Sequence, residues 1–421
     1  MAFAALLGLL MLVLLLGVPI AYAIGGLAVL GNFWFDATSL ARLAETQFSS
    51  INSFVIMAIP FFILAGNIMM RGRMAQSIFD FMNSLTRWMT GGAAIGSTGA
   101  CAVFGSLTGS SAASAAALSP VIIPELTRVG YPRHFACGLM AAGGTLGIML
   151  PPSVVFILYG VLTGTSVAAL FLAGIIPGLF LAFLIGLTSY IIARRNGFGS
   201  KGAFIPTEVW ATFVRAFPAL LMPILVLGGI YSGWFTPTEA AAVGVVYAML
   251  ATLYIYRTLR WRDFKAIFSE SAKNSAVVLI ILSASIGIGL LASFLGIADQ
   301  LAEFLISMDL SPWQFLLAVN ILLLIFGCFF DGFTLLILFT PLLLPSLRAL
   351  DIDLIHFGII MTANIEIAAI TPPLGLNLFV ISSVTKIGVM EVAKGVLPFV
   401  LALLVGLFAI TYIPAISLAL L

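Results

Sequence analysis

Two stretches of small, hydroxyl-bearing and proline residues interrupt an otherwise apolar sequence, and they carry groups that could bind an ion. The first is GGTLGIMLPPS at 143–153, and the second is NIEIAAITPPLGLN at 364–377. A Pro-Pro pair removes two backbone donors and its rings clash with the preceding turn, so it ends a regular helix. The carbonyl groups freed by such a break suit a hard cation such as Na⁺. We therefore predict helix breaks at Pro151, Pro152, Pro372 and Pro373.

Two polar clusters could complete an ion site between these breaks. They are GSLTGSS at 105–111 and GCFFDGFT at 327–334, each between two apolar arms. The arms of the first cluster hold only ~13–15 residues, whereas a membrane crossing needs roughly 20. We therefore predict a re-entrant helical hairpin with an exposed polar tip at 91–124, and a second hairpin at 312–346.

The candidate ligands are the oxygen-bearing and glycine residues of the two tips and the two breaks. We expect Na⁺ ligands at Ser106, Thr108, Gly144, Thr145, Gly327, Asp331, Thr334 and Thr371, with Ser110 and Asn377 beside them. Each of them has an alternative structural role, because Ser and Thr often hydrogen-bond to carbonyl groups in apolar helices and glycines permit close packing.

Two acidic residues lie close to these elements. Asp331 is the acidic residue of a predicted tip, and an unpaired carboxylate inside a membrane is costly, so Asp331 is a functional candidate. Glu366 precedes the second break and is either a proton or cation site or a tie between the broken helix and a neighbour. The predicted cavity contains no Lys or Arg, so an anion there would be held by helix N-termini, hydroxyl groups and bound cations.

Composition determines the class of protein that positions these residues. Of 421 residues, 62% are hydrophobic and 8% are charged, whereas soluble domains carry about 25% charged residues. The chain is therefore predicted to be a polytopic membrane protein in contact with lipid. The net charge of +2 argues neither for nor against nucleic-acid binding, and the sequence contains no basic tract that could bind it. An intramembrane protease is excluded because the sequence has no His-Glu-x-x-His motif and no partner aspartate for Asp331.

The sequence repeats at an offset of 221 residues. Pro120, Pro124, Pro151, Pro152 and Pro177 match Pro341, Pro345, Pro372, Pro373 and Pro398. Five single crossings are predicted between the two hairpins, and an odd number makes the halves antiparallel. The predicted fold is an all-α polytopic membrane protein, an inverted-topology repeat with two re-entrant hairpins and two broken transmembrane helices.

Nine full crossings are predicted, with the N-terminus inside and the C-terminus outside. A polar loop is expected before the second of them, and their ranges are 1–31, 51–70, 133–162, 168–193, 213–232, 239–256, 274–296, 355–383 and 395–418. The basic loops at 194–215 and 257–273 are assigned to the cytoplasm. Residues 74–90 are predicted to form an interfacial amphipathic helix, although a short crossing there would move the N-terminus outside. A short acidic amphipathic stretch with Asp299, Glu303 and Asp309 follows in the second half, and Thr236–Glu239 is read as a helix capping box.

Several motifs together resemble the large membrane subunit of tripartite ATP-independent periplasmic (TRAP) transporters, a DctM/SiaM-like family. They are GWFTPTEAAA at 233–242, GGTLGIMLPPS at 143–153, the Asp331-Gly332 pair and TPPLGLNLFV at 371–380. The resemblance covers essentially the whole chain. It implies a sodium-driven importer of an organic acid anion, such as a C4-dicarboxylate, a 2-oxo acid or a sialic acid, in a bacterial inner membrane. It also implies two partners, a small four-helix membrane subunit and a periplasmic substrate-binding protein.

The resemblance further implies an elevator motion, in which hairpins and broken helices move against a scaffold. The expected division is 1–90 and 194–311 for scaffold and arms, and 91–193 and 312–421 for the two halves of the transport domain. We assign substrate binding to Ser106, Ser110, Ser153, Asp331 and Asn377, most of them where the family places substrate- and sodium-proximal groups. The alternative is a stand-alone Na⁺/anion symporter of the divalent-anion or citrate type, which has the same fold and no binding protein.

Overall fold

Every regular element in the described part of the chain is a helix. The computed structural model describes residues 8–9, 12–13, 16–199, 202–296, 300 and 311–421. The helices, numbered in chain order, are α1 Ile20–Phe35, α2 Leu40–Ile51, α3 Ala58–Arg71, α4 Met74–Thr86, α5 Gly92–Thr108, α6 Ser111–Arg128, α7 Arg133–Met149, α8 Val154–Thr163, α9 Val167–Asn196, α10 Pro206–Tyr231, α11 Pro237–Leu250, α12 Trp261–Phe294, α13 Pro312–Gly327, α14 Gly332–Ala349, α15 Leu354–Ala368, α16 Leu376–Thr385, α17 Val389–Tyr412 and α18 Ala415–Leu418. Short non-α turns at Val55–Met57 and Ala251–Ile255 precede α3 and extend α11.

The lengths and composition of these helices confirm a polytopic membrane protein. Within the described residues, six helices are long and apolar enough to cross a membrane, and two bent helix pairs raise the number to eight. One of the six is α14, an arm of the second predicted hairpin. The arms of the first hairpin have 17 and 18 residues, longer than the sequence predicted, because the helices continue through the small residues up to the tip.

The helix boundaries repeat at the same 221-residue offset as the prolines. α6 at 111–128 and α14 at 332–349 begin and end at positions 221 apart, and α7 and α15 begin at 133 and 354. Both broken helices are present: α7 ends at Met149 and α8 begins at Val154, while α15 ends at Ala368 and α16 begins at Leu376. The first pair is bent by 42°. Both breaks therefore lie where the sequence predicted them, and each predicted hairpin is a pair of consecutive helices, whereas the re-entrant path of the hairpins stays a prediction.

The segment predicted as a polar loop before the second crossing is a helix. α2 covers Leu40–Ile51, and the Ser39 hydroxyl caps it by accepting a bond from Arg42 N at 3.2 Å. Its Leu43 is buried, and the helix packs against α12. The polar residues that suggested a loop form the exposed face of this amphipathic helix.

The first crossing also differs from its prediction over 1–31. Residues 16–19 form a turn with Gly17 at φ +81°, and α1 then runs from Ile20 to Phe35. The remainder of that range lies largely outside the described residues. The acidic stretch with Asp299, Glu303 and Asp309 also lies outside them.

The predicted amphipathic helix at 74–90 is α4, and one of its faces is buried by protein. Met74 and Ile78 are fully buried, and the helix packs against α5 and α10. Just beyond its end, Arg87 donates two hydrogen bonds to Glu208 on α10, at 2.7 and 2.5 Å. α4 therefore braces the first hairpin against α10.

The capping box predicted at Thr236–Glu239 is confirmed at the start of α11. Glu239 accepts a hydrogen bond from Thr236 N at 2.8 Å, and the Thr236 hydroxyl accepts one from Glu239 N at 3.3 Å.

Candidate functional site

The first hairpin turns within two residues, Gly109 and Ser110. Gly109 has φ +59°, a conformation that favours glycine, and its N–H closes α5 on Gly105 O at 3.0 Å. The Ser110 hydroxyl caps α6 by accepting from Ala113 N at 3.4 Å. Thr108 reaches across the turn, with its hydroxyl oxygen 2.7 Å from that of Ser114. The tip was expected to be exposed, but Thr108 is 2% exposed because the tip packs on the first break.

The first tip and the first break meet through backbone atoms. A Cβ on Gly105 would lie 2.7 Å from Gly147 Cα, and a Cβ on Gly109 would lie 2.9 Å from Pro152 O. Side chains at these glycines would force the two elements apart, so the glycines set how closely they approach. The predicted ligand Gly144 lies on α7 against the start of α6, where an added Cβ would meet Ser111 O at 3.2 Å.

The second tip is built around Asp331, which caps α14. Its carboxylate accepts hydrogen bonds from the N–H groups of Phe333 and Thr334, at 3.1 and 3.3 Å, and from the Thr334 hydroxyl. Asp331 is half-buried and matches Ser110 of the first tip at the 221 offset, so both tips are capped at the same position. The carboxylate is thus bound to donors of its own helix, and it remains a candidate ion ligand through its other lone pairs.

The second tip rests on the second break in the same way as the first. The N–H of Leu374 donates to Cys328 O at 3.2 Å, and a Cβ on Gly327 would lie 2.5 Å from Ala368 Cβ. Across the break, the N–H of Asn377 in the first turn of α16 donates to Ala369 O, just past the end of α15, at 2.9 Å. Each half therefore holds one tip against one break.

Asn377 joins the two halves. Its side-chain N–H₂ group donates to Ser111 Oγ at 2.7 Å and to Ala141 O at 2.9 Å, which places α16 against α6 and α7. Ala141 O can only accept, so the amide nitrogen must point toward it and the carbonyl oxygen must point away. That oxygen, Oδ1, is buried and accepts no hydrogen bond from the described residues. It is therefore a candidate ligand at the junction of the halves.

Four predicted ligands are bonded to carbonyl groups near them in sequence. The hydroxyls of Ser106 and Thr145 donate to Val103 O at 2.8 Å and to Ala142 O at 2.7 Å. The hydroxyls of Ser153 and Thr371 donate to Ile148 O at 2.5 Å and to Ile367 O at 2.6 Å. Each hydroxyl oxygen keeps lone pairs that could coordinate an ion. The described hydrogen bonds do not connect Asp331 or Thr334 to the first half. The ligand assignments therefore remain predictions, with Asn377 the most directly placed.

Some residues of this region were not among the sequence candidates. Ser111 and Ser114 bond to Asn377 and Thr108, and their position in the polar tip was the available signal. A buried pair of asparagines also ties the second hairpin to its broken helix, with Asn364 donating to Asn320 Oδ1 at 2.8 Å. No local pattern marks Asn320, because its partner is 44 residues away.

A cleft runs along α6 to its last turn. It encloses about 580 Å³ and is lined by Ser119, Pro120, Ile123, Pro124, Thr127, Arg128, Arg133, Val384 and Thr385. Arg128 is paired with Glu125 at 2.6 Å, whereas Arg133 donates to Thr385 O at 2.7 Å. None of the predicted site residues lines this cleft, and its two basic residues lie at the ends of α6 and α7, where they border the first hairpin.

Comparison with known proteins places the chain in a family. The family described as "Tripartite ATP-independent periplasmic transporter, DctM component" matches residues 7–416. The C4-dicarboxylate TRAP transporter large permease protein DctM of Rhodobacter capsulatus is 37% identical over 98% of this chain and 97% of its own. The sialic acid TRAP transporter large permease protein SiaM of Vibrio cholerae is 33% identical over 96% and 95%. The isethionate TRAP transporter permease protein DctMQ of Oleidesulfovibrio alaskensis is 35% identical over 96% of this chain and 64% of its own.

A solved structure supports the fold independently of these sequences. The YdaH transporter of Alcanivorax borkumensis superposes with a TM-score of 0.55 at 14% identity, over 88% of each chain. The polytopic helical fold, the broken helices and the near full-length sequence matches agree with one another. The chain therefore belongs to the DctM family of TRAP transporter large permeases, multi-pass transport proteins, not enzymes, of the bacterial inner membrane.

Proposed function

We propose that this chain is the large subunit of a sodium-coupled TRAP transporter that imports an organic acid anion. The hairpins and broken helices of the two halves form its ion and substrate site. The observation that carries this proposal is Asn377, whose amide bridges the halves and leaves a buried carbonyl oxygen without a donor among the described residues. A neutral oxygen ligand of this kind suits Na⁺.

The substrate class is inferred from what the relatives share. The three relatives are named as transporters of C4-dicarboxylates, sialic acid and isethionate, and they are 37, 33 and 35% identical to this chain. All three are organic acid anions, and the similar identities favour the class over any one member. We propose two or more Na⁺ per anion, and import is electrogenic when the Na⁺ ions outnumber the negative charges of the anion, which takes two for a monoanion and three for a dianion. Each net positive charge that moves inward gains roughly 2.3 kcal/mol per 100 mV.

The partners follow from the family and from one relative. The family is named tripartite and periplasmic, which supports a periplasmic binding protein that delivers the anion. This chain covers 64% of the DctMQ relative, so a further membrane segment accompanies the permease there. We propose that a separate small membrane subunit supplies the equivalent segment here.

The motion that we propose is an elevator movement of the tips and breaks as one body. It is supported by the inter-half bond of Asn377 and by the backbone contact of Gly105 with Gly147, which join these elements to each other. The five crossings between the hairpins, α7 with α8, then α9, α10, α11 and α12, support an inverted repeat.

Reconstitution tests the proposal. The chain is placed in proteoliposomes with its small subunit, and uptake of C4-dicarboxylates, sialic acid and isethionate is measured with the binding protein present or absent, with and without an inward Na⁺ gradient. We expect uptake only with the binding protein, the small subunit and the gradient together. Full uptake by this chain alone would favour the stand-alone symporter, and uptake that ignores the gradient would refute sodium coupling.

Asp331→Asn is expected to weaken sodium-driven uptake without unfolding the protein. Asn caps helices about as well as Asp, so the bonds to Phe333 N and Thr334 N can persist while the negative charge is lost. The measurement is the Na⁺ concentration for half-maximal uptake, which should rise. Asp353→Asn is the matched control, because Asp353 caps α15 through His356 N at the far end of the broken helix. An equal response of both variants would remove Asp331 from the ion site.

Replacing Pro151 and Pro152 together by Ala is expected to reduce uptake. A proline inside a helix costs about 3 kcal/mol or more, so its removal lets α7 extend toward α8 and shifts Pro152 O, which the first tip contacts at Gly109. Pro177→Ala is the control, since Pro177 lies within α9 without breaking it. Wild-type uptake in the double variant would show that the first break is not needed for transport.

A further inference from the structure

Glu366 is an enclosed carboxyl group that the proposed sodium site does not use. It lies on α15, five residues before Thr371, and its exposure is 0%. Neither Oε1 nor Oε2 has a hydrogen-bond partner among the described residues. The sequence left open whether Glu366 ties the broken helix to a neighbour, and the described contacts contain no such tie.

The helices around Glu366 supply no charge to balance it. Of the helices packed closely against α15, α13 and α18 carry no titratable side chain. The titratable residues of the other helices lie toward the helix ends: Arg133, His134, Cys137, Tyr190, Arg194, Arg195, Arg348, Glu391, Lys394 and Tyr412. Tyr159 of α8 donates to Leu354 O at the start of α15. Asp331 caps α14 beside Gly332, which packs on Ile365, and its carboxylate cannot balance the charge of a second carboxylate. On α15 itself, His356 is ten residues earlier, about 15 Å along the helix axis. The four ion pairs of the described residues do not include Glu366.

The second hairpin closes over the helix that carries this carboxyl group. A Cβ on Gly332 would lie 2.3 Å from Ile365 Cγ2, and a Cβ on Gly327 would lie 2.5 Å from Ala368 Cβ, so the hairpin packs on the face of α15 that carries Ile365 and Ala368. Asn364 fastens the same hairpin through Asn320. Glu366 lies about 100° around the helix from Ile365, so other helices packed against α15 complete its enclosure. Water can reach Glu366 only if the packing around α15 opens.

We propose that Glu366 is a proton-binding site of the second half. An ionised carboxylate that is buried without donors or counter-charge is strongly disfavoured, whereas a carboxylic acid is tolerated. Glu366 therefore carries a proton while α15 stays packed against its neighbours. When that packing opens during transport and water enters, the group releases H⁺ and becomes a carboxylate, and it must take up H⁺ again before the packing closes. The transport step rests on the proposed function, whereas the protonated state does not.

Infrared difference spectroscopy on the purified chain tests the protonated state without any transport assay. The wild-type minus Glu366→Gln spectrum is expected to contain the C=O stretch of a protonated carboxylic acid, shifted by exchange into D₂O after prolonged incubation. Glu239→Gln is the matched control, because Glu239 is an exposed capping carboxylate and Gln can also cap. Its difference spectrum should contain the bands of an ionised carboxylate. Carboxylate bands in place of the acid band for Glu366 would overturn the proposal.

Transport by the reconstituted complex tests the release step. Initial uptake is measured against pH at a fixed Na⁺ gradient, for the wild type and for Glu366→Gln. The wild-type rate is expected to vary with pH, and the variant, which mimics the protonated acid permanently, is expected to lose that dependence. A variant with the wild-type pH profile would refute proton release from Glu366. Failure of the wild-type complex to use the Na⁺ gradient would refute the proposed function instead, and would leave the infrared result standing.

Discussion

Asn377→Ala is expected to lower sodium-driven uptake by about tenfold or more. The change removes the donors to Ser111 Oγ and Ala141 O, which hold α16 against the first half, and it removes the unpartnered Oδ1. Loss of such buried bonds costs about 1–3 kcal/mol, and 1.4 kcal/mol is a factor of ten in affinity. The measurement is the rate of uptake and its dependence on Na⁺ concentration in proteoliposomes.

A matched control separates the loss of a site from the loss of a buried bond. Asn32 of α1 is buried, donates to Thr38 O at 2.6 Å and accepts from Thr38 N at 2.9 Å, and α1 packs against α2 and α12. Asn32→Ala should therefore lower thermal stability to a similar degree while the Na⁺ dependence of the remaining uptake stays as in the wild type. If the two variants show the same Na⁺ dependence, Asn377 is a packing residue and the site must be centred elsewhere.

Gly138→Ala is expected to have the largest effect on folding. α7 and α17 cross where Gly138 meets Gly395, and an added Cβ would lie 2.1 Å from Gly395 C. The reciprocal change at Gly395 would place a Cβ 2.0 Å from His134 O. The obstructing atoms belong to backbone, which cannot rotate away, so we expect a cost of about 3 kcal/mol, at the upper end of overpacking penalties. The thermal unfolding temperature of the purified protein in detergent is the measurement.

Two glycines provide the comparison for this prediction. A Cβ on Gly186 of α9 or on Gly228 of α10 would meet nothing within 4 Å. Ala is favoured over Gly within helices by about 1 kcal/mol, so Gly186→Ala and Gly228→Ala should leave the unfolding temperature unchanged or raise it. If Gly138→Ala has the same unfolding temperature as Gly186→Ala and Gly228→Ala, the close crossing of α7 and α17 is contradicted.

The polar composition of α2 misled the sequence interpretation, and the reason is general. Only Leu43 of its twelve residues is buried, so most of the segment resembles a solvated loop. Its helical state depends on the Ser39 cap and on packing against α12, more than 200 residues later. The prediction of an exposed tip at Thr108 failed for a similar reason, because burial there depends on contacts of the tip with Gly147 of α7 and Pro152 of the first break.

The sequence by itself determined where the helices break and where the hairpins turn. Those features depend on local chemistry, namely the missing N–H groups of Pro151, Pro152, Pro372 and Pro373 and the capping groups of Ser110 and Asp331. The 221-residue repeat then followed from proline positions alone. The tertiary structure decided which groups meet: Asn377 with Ser111 across 266 residues, and Glu366 with the helices that enclose it around α15. Such contacts depend on how helices approach one another, and that approach is set by packing between residues that are distant in the chain.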